Sequence, residues 1–254
     1  MNENDTTSDM AGLEEQLNGI MDESPDMAGV PISRRRAMAR IMAEQVRNRS
    51  MTETQTRAMK FLVSKIGQLE DQTRKALLAG ELVFQDADIY FRKRITGGGI
   101  QVILETTNIK RTGVSFIDKN SLPDRVNAVV SDIKMAYGYH ATKTDPVDIT
   151  YSTDNTVTGG VGAVPNAIVN GELEISTNDR PIITLPCSGF FRTGGIVQTI
   201  NSGNDFRTLQ GLRLIKEQVP ITINHKLADT LSLSTSVNHF IDITFKAVIT
   251  KSRS

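Results

Sequence analysis

From residue 81 onward, apolar and polar residues alternate with a period of two, which is the spacing of side chains on the two faces of a β-strand. The alternation is clearest near the C-terminus, where Ile241, Ile243 and Phe245 share one face while Asp242 and Thr244 share the other. Shorter alternating runs cover residues 89–95 and 100–104. This pattern predicts a series of β-strands.

Turn-forming sequences separate these runs, at residues 96–99, 159–162, 194–195 and 201–204. Asn170-Gly171 lies between two apolar runs, 167–169 and 173–175, and this dipeptide is typical of a two-residue β-hairpin turn. No long helical pattern lies between the strands. The sequence therefore predicts an antiparallel β-sandwich over residues 81–254 rather than a Rossmann-type parallel sheet.

Helical spacing appears in residues 31–80, and it predicts two helices. The first is expected to start after Pro31 with Ser33 as its N-cap, and its apolar stripe comprises Met38, Ile41, Met42 and Val46. The second is expected to open with a capping box at Thr52-Glu53-Thr54-Gln55 and to end at Gly80.

The second helix carries apolar residues at helical spacing: Met59, Leu62, Val63, Ile66, Leu69 and Leu77. Four of them, Leu62, Val63, Ile66 and Leu69, are predicted to dock the helix onto a sandwich, either that of its own chain or that of a neighbouring copy.

The formal net charge is zero, but the charges are unevenly distributed. Residues 1–30 contain eight acidic residues and no Lys or Arg, whereas residues 31–80 contain eleven basic and four acidic residues. Apart from a short helix over 10–21, with Leu13, Leu17 and Ile20 on one side, residues 1–30 are predicted to form a flexible acidic arm that orders on docking. The predicted organisation is thus an acidic arm (1–30), a basic helical segment (31–80) and a β domain (81–254).

Six arginines are concentrated in the first predicted helix: Arg34, Arg35, Arg36, Arg40, Arg47 and Arg49. Such a cluster can neutralise phosphates without reading a base sequence, and it can equally pair with an acidic surface such as residues 1–30 of the same or another copy. A charged, solvated outer face of an amphipathic helix is the third interpretation.

No residues show the spacing of a catalytic or metal site. His140, His225 and His239 are far apart in sequence and belong to no zinc-binding motif, and Cys187 lies among apolar residues, as a buried structural cysteine does. We therefore expect no enzyme activity, no cofactor and no metal. No apolar run approaches the length of a membrane helix, and the acidic, polar N-terminus is not a signal peptide, so synthesis in a cytoplasm is expected.

Two stretches near the C-terminus resemble strands of virion proteins. The first runs from residues 170–175 (NGELEI) through 180–186 (RPIITLP), and the second from 212–221 (LRLIKEQVPI) to the strand at 239–250. They are similar in style to structural proteins of tailless, icosahedral bacteriophages, whose coat subunits are commonly jelly rolls. The resemblance implies a single jelly roll preceded by an inward-facing helical N-terminal arm, and it transfers no functional residue.

These observations favour a self-assembling virion structural protein, that is, a coat, penton or minor capsid subunit. It would be made in the host cytoplasm and built into the virion. Its expected partners are copies of itself, other virion proteins and, through non-specific contact, the packaged nucleic acid. The alternatives are a non-sequence-specific nucleic-acid-binding protein and a glycan- or ligand-binding β module. The β module would use the loops around 154–165 and 194–205, with Asp154 or Asp205 at a calcium-assisted site.

Overall fold

The structure is a computed structural model of the chain. It describes residues 3–153, 163–191, 205–229 and 231–252, and for residues 3–11 and 26 it describes the backbone alone. Contacts between Cα atoms divide the chain into two compact units. One comprises Met1–Ala87, Asp124–Val129 and Val248–Ser254, and the other comprises Asp88–Pro123 and Val130–Ala247.

Four helices belong to the first unit: α1 (Glu3–Glu23), α2 (Ile32–Asn48), α3 (Glu53–Ser64) and α4 (Asp71–Leu78). Helix α1 packs against α2 and α3. Large apolar side chains from three helices are fully buried, namely Leu17, Met21, Met42, Met59 and Leu62. Burial of such side chains, at roughly 1.5–3 kcal/mol each, stabilises helices that would be marginal alone.

Helix α1 extends beyond the short helix predicted at 10–21. Leu13, Leu17 and Met21 recur every four residues, and all three are buried, while Ile20 is half-buried. This spacing supplies a continuous apolar face. The acidic segment is therefore helical from Glu3 to Glu23, with Leu13, Leu17 and Met21 buried, whereas the charge pattern predicted a largely flexible arm.

Helix α2 confirms the first predicted helix, but its N-cap is Pro31 and not Ser33. The backbone N–H groups of Arg34 and Arg35 both donate to the Pro31 carbonyl, which places Ser33 inside the first turn. Within the predicted stripe, Met42 is buried but Ile41 is 43% exposed. Consecutive helical residues differ by about 100° in direction, so the two cannot face the same way.

Helix α3 begins with the predicted capping box. The Gln55 N–H donates to the Thr52 hydroxyl, and the Thr52 N–H donates to the Gln55 side-chain oxygen, each over 3.2 Å. The prediction of one continuous helix to Gly80 is wrong, because α3 ends at Ser64 and α4 starts at Asp71. Gly67, a weak helix former, lies in the 3-10 turn between them, Ile66–Gln68. Gly80, with φ +71°, ends α4 as predicted.

Eight strands in the described part of the chain form two four-stranded antiparallel sheets, and the fold is mainly β with about 30% helix. The strands are β1 (Leu82–Ile95), β2 (Ile100–Leu104), β3 (Asn127–His140), β4 (Glu172–Thr177), β5 (Arg180–Pro186), β6 (Arg207–Ile215), β7 (Ile221–Lys226) and β8 (Asn238–Ser252). The first sheet has the order β1-β8-β3-β6, and the second has the order β2-β7-β4-β5. The predicted mainly β, antiparallel class is confirmed.

The C-terminal strand is confirmed as β8, and both of its faces are buried. Ile241, Ile243 and Phe245 are at most 1% exposed, and Asp242 on the opposite face is 3% exposed. Its carboxylate accepts a hydrogen bond from Arg92 over 3.2 Å and another from the Thr244 hydroxyl over 3.1 Å. The polar face is thus satisfied internally.

The hairpin predicted at Asn170-Gly171 is wrong. Residues Asn166–Val169 form a short helix, α5, which follows Pro165, and the hairpin instead joins β4 to β5. Its turn is Asn178-Asp179, where both residues have positive φ (48° and 58°), as a type I′ turn requires. Asn and Asp tolerate this conformation better than other non-glycine residues. The glycine clusters at 159–162, 194–195 and 201–204 lie outside the described residues.

Candidate functional site

The exposed face of α2 carries a stripe of arginines. Arg36, Arg40 and Arg47 project within about 40° of one another around the helix axis, and all three are exposed. The buried residues of this helix are Ala39, Met42, Ala43 and Gln45. Arg34 is also exposed, but it projects about 120–160° away from the other three arginines. We call Arg36, Arg40 and Arg47 the arginine face.

Within this face, Arg40 forms an i,i+4 ion pair with Glu44 over 3.1 Å, and the two side chains are 72% and 54% exposed. An exposed pair of this kind is worth little in water, about 0.3–0.5 kcal/mol. The Arg40 guanidinium can therefore exchange Glu44 for a phosphate or for a carboxylate of another molecule at little cost.

The other two predicted arginines serve the chain itself. Arg35 pairs with Asp22 over 2.5 Å and donates to the Val30 carbonyl over 3.1 Å. Arg49 donates to the Gly80 carbonyl over 3.2 Å and also to the Leu82 carbonyl. Spacing alone did not separate these two from the arginine face. The Arg35–Asp22 pair links the basic segment to the acidic one within a single chain.

The predicted docking residues of α3 and its following turn are all buried. Leu62, Val63 and Ile66 have no exposed surface, and Leu69 is 6% exposed. Helix α3 packs against α1, which accounts for part of this burial. Docking onto a sandwich, of the same or a neighbouring chain, stays a prediction.

The three histidines occupy three different environments. His140 accepts backbone N–H groups of Thr142 and Lys143 through Nδ1, at 3.1 and 3.0 Å. His239 has Tyr137 at 2.7 Å on Nδ1 and the Ser234 carbonyl at 2.9 Å on Nε2. Since Nε2 must donate to that carbonyl, the Tyr137 hydroxyl donates to Nδ1.

His225 and Cys187 are buried in the second unit without a catalytic arrangement. Burial lowers the pKa of His225 to about 4, against the opposing effect of the Ile168 backbone. Burial, and secondly the charge of Glu172, raise the pKa of the Cys187 thiol to about 12. A neutral, inaccessible thiol is a poor nucleophile. Among the described residues, no three or more His, Cys, Asp and Glu side chains are placed to hold a metal ion.

Of the two aspartates predicted for the alternative calcium site, the structure describes only Asp205. Asp154 lies outside the described residues. Asp205 is exposed and lines a small pocket of about 210 Å³ together with Phe191, Phe206 and Arg207. A larger cleft of about 540 Å³ lies at the end of β3, with Tyr139, His140, Lys143 and Asp148 among its lining residues.

Among the described residues, the second sheet ends in two strands that each have one neighbour, β2 and β5. On β2, Ile100 is 61% exposed and Val102 is 39% exposed. Beside β5 lies a groove of about 260 Å³, which is lined by Ile182, Ile183, Thr184, Leu185, Arg207, Thr208, Leu209, Gln210 and Arg213. Exposed apolar side chains on an edge strand are a surface on which another chain can pair.

Known proteins give no assignment for these surfaces. No protein-family model matches the chain, and no curated protein matches it significantly. In the described part of the chain, no helix is both long enough and apolar enough to cross a membrane, in agreement with the sequence-based prediction.

Proposed function

We propose that this chain is a self-assembling virion structural protein, a coat, penton or minor capsid subunit of jelly-roll type, with its two sheets packed as a sandwich. The observation that carries the proposal is the open edge of the second sheet, where β2 exposes Ile100 and Val102. Monomeric proteins usually protect such edges with charges, proline or a covering segment. An edge strand with exposed apolar side chains is suited to burial between copies.

In this proposal the helical N-terminal segment is the inward-facing part of the subunit, and the arginine face meets packaged nucleic acid or the acidic surface of a neighbour. The guanidinium groups of Arg36, Arg40 and Arg47 are on one side of one helix, and the only ion pair described among them is the exposed Arg40–Glu44 contact. Contact with phosphates would be non-specific, because guanidinium groups bind the backbone of any sequence. Synthesis occurs in the host cytoplasm, before incorporation into the virion.

Light scattering and negative-stain microscopy of the purified full chain over a range of concentrations test this function. Rings, shells or defined oligomers that grow with concentration are the expected result. A monomer at every concentration and salt condition would remove the proposal. It would leave a nucleic-acid-binding protein, which the arginine face favours next, or a ligand-binding module that uses the β3 cleft.

A further inference from the structure

The open edges of the second sheet have defined backbone directions. At β5, the Cys187 N–H donates to the Gly171 carbonyl over 2.9 Å, in line with the pairs Leu173↔Leu185 and Ile175↔Ile183. Backbone groups alternate in direction along a strand, so the N–H and C=O of Thr184 point away from β4, toward the open edge.

Two arginines hold the carbonyls on either side of Thr184. Arg213 donates to the Ile182 carbonyl over 3.0 Å, and Arg207 donates to the Pro186 carbonyl over 3.4 Å. These contacts lie on the outward side of β5, which agrees with the direction of Thr184. Residues of β6 thus line this edge, and a strand that pairs with β5 must displace both arginine contacts.

The same reasoning orients β2. The Leu227 N–H donates to the Gly99 carbonyl over 2.9 Å, and the next residue, Ile100, is opposite Lys226. The backbone of Gln101 therefore points toward β7, while the backbone groups of Ile100 and Val102 point outward. Both side chains are also exposed, so this edge offers an apolar surface together with outward-facing backbone groups.

Strand count makes the two edges compatible. In a sheet of four antiparallel strands the first and last run in opposite directions, so β2 of a second copy placed beside β5 continues the antiparallel alternation. One face of the sheet already shows two cross-strand rows. These rows are Ile100, Lys226, Glu172, Pro186 and Val102, Asn224, Glu174, Thr184. Extending them places a second Ile100 beside Pro186, which can only accept because it has no N–H, and a second Val102 beside Thr184, which can both donate and accept.

Charge favours β5 as the partner of β2. The groove beside β5 is lined by two arginines and no acidic residue. Glu105 follows the last residue of β2 and is 47% exposed, with Lys93 as its ion-pair partner. In the antiparallel register, Glu105 falls at the Arg180 end of β5, on the side where Arg213 reaches the Ile182 carbonyl.

We propose that β2 of one copy pairs with β5 of the next, so that the second sheet continues from copy to copy. The interface is heterologous, and it forms a closed ring where the rotation between copies closes and a filament where it does not. This inference rests on the proposed self-assembly and names the contact that produces it.

Two proline variants of the full chain test the pairing. Val102→Pro and Thr184→Pro each remove an outward N–H, and proline is tolerated at an edge whose N–H faces solvent. Analytical ultracentrifugation should show each variant associating at least about tenfold more weakly than the wild type, since a pairing bond is removed and the ring blocks approach. An equimolar mixture should form a one-to-one complex, because each variant retains the edge that the other lacks.

Other results are equally informative. If Thr184→Pro assembles like the wild type and Val102→Pro does not, β2 pairs with β2 and the inference is overturned. If both variants assemble normally, it is also overturned, while the proposed function stands. A wild-type chain that never associates removes the proposed function itself.

A second pair of variants guards against misfolding by proline. Ile100→Lys with Val102→Lys changes only side chains and should also weaken association. Ile109→Lys replaces an apolar residue that is 75% exposed but outside every strand, and it should leave association unchanged. Circular dichroism and thermal unfolding identify any variant that is unfolded. Equal weakening by Ile109→Lys would show that general hydrophobicity, rather than edge pairing, drives association.

Discussion

Helices α2 and α3 contain polar side chains that form hydrogen bonds, whereas the second sheet contains buried polar side chains that do not. The buried Gln45 side chain donates to the Leu82 carbonyl over 2.6 Å, and the Thr52–Gln55 box closes the start of α3. In β7, by contrast, the buried Asn224 Oδ1 has no hydrogen-bond partner among the described residues. The ring nitrogens of His225 form no hydrogen bond of normal geometry there either, and the interaction with the Ile168 backbone is too weak to offset the burial of the ring.

The two regions differ in how far along the sequence a polar side chain must reach for a hydrogen-bond partner. At the start of α3 the bonded residues are three positions apart, so the local sequence provides both partners. Gln45 finds its partner 37 positions away, within the same unit of the chain. His225 is instead buried between strands that are distant in sequence, and its cross-strand neighbours are Leu173 and Gln101. An unpaired buried polar group costs about 1–3 kcal/mol, so the packing of the second sheet must offset it.

The largest expected effect comes from adding one methyl group beside His225. In Gly171→Ala, the new Cβ would lie 2.4 Å from the Lys226 carbonyl oxygen and 3.1 Å from His225 Nε2. The strand must move, and we expect a loss of about 3 kcal/mol in the free energy of unfolding. Urea denaturation followed by circular dichroism measures it.

The matched control is Gly19→Ala in α1, where nothing lies within 4 Å of the added Cβ. Alanine is the better helix former, so this variant should gain about 0.5–1 kcal/mol in stability. Opposite signs for the same substitution would sharpen the contrast between the two regions. Equal effects would contradict it.

A comparable effect is expected from pH. Burial lowers the pKa of His225 from 6.5 to about 4, so between these values the unfolded chain binds a proton that the folded chain does not. Stability therefore falls as the pH is lowered from 6.5 to 4, by about 1.4 kcal/mol per pH unit and about 3 kcal/mol altogether.

His225→Leu should remove this component, and the unfolding free energy of the variant should depend less on pH in the same range. Burial also lowers the pKa of His239, but both proteins retain that group, so the difference between them isolates His225. Identical pH profiles would show that His225 does not control acid stability.

The sequence predicted several elements that carry a clear capping or alternating signal, and it missed others, some of them local, such as the N-cap of α2 and the break between α3 and α4. The capping box at Thr52, the end of α4 at Gly80 and the C-terminal strand β8 are all confirmed. Asn170-Gly171 has the composition of a turn, but Pro165 before it begins α5, and the true turn at Asn178-Asp179 carried no glycine to mark it. Local composition cannot show which of the two dipeptides forms the hairpin turn, because the pairing of the strands determines it.

The candidate surfaces were predicted in part for the same reason. The six arginines were identified as a cluster, but Arg35 and Arg49 are held by Asp22 and by the Gly80 and Leu82 carbonyls, and no spacing rule shows those contacts. The open edge of β2 was not predicted. It follows from which strands end the sheet, and sheet order is not written in the sequence of β2 itself.

A smaller effect is expected at the start of α3. Thr52→Ala removes the side chain that accepts the Gln55 N–H, and loss of an N-cap costs about 1 kcal/mol. Thr54→Ala, at an exposed position two residues later, is the control and should change stability by less than about 0.5 kcal/mol. Thermal and urea unfolding measure both. A cost at Thr54 equal to that at Thr52 would mean that the capping box does not stabilise the helix.

The smallest effect on stability, and the most informative one for function, is expected at the arginine face. Arg36→Ala, Arg40→Ala and Arg47→Ala together should change the unfolding free energy by less than about 0.5 kcal/mol, because these side chains are exposed. If the face binds phosphates, the slope of log affinity for DNA against log salt should fall in magnitude by about 0.9 for each phosphate that is no longer neutralised. Removing the same charge at exposed Arg57, Lys65 and Lys75 should leave the slope nearly unchanged. An equal reduction of the slope in both triple variants would show that DNA binding depends on overall charge. A slope that neither variant changes would indicate that the arginine face binds a protein partner instead.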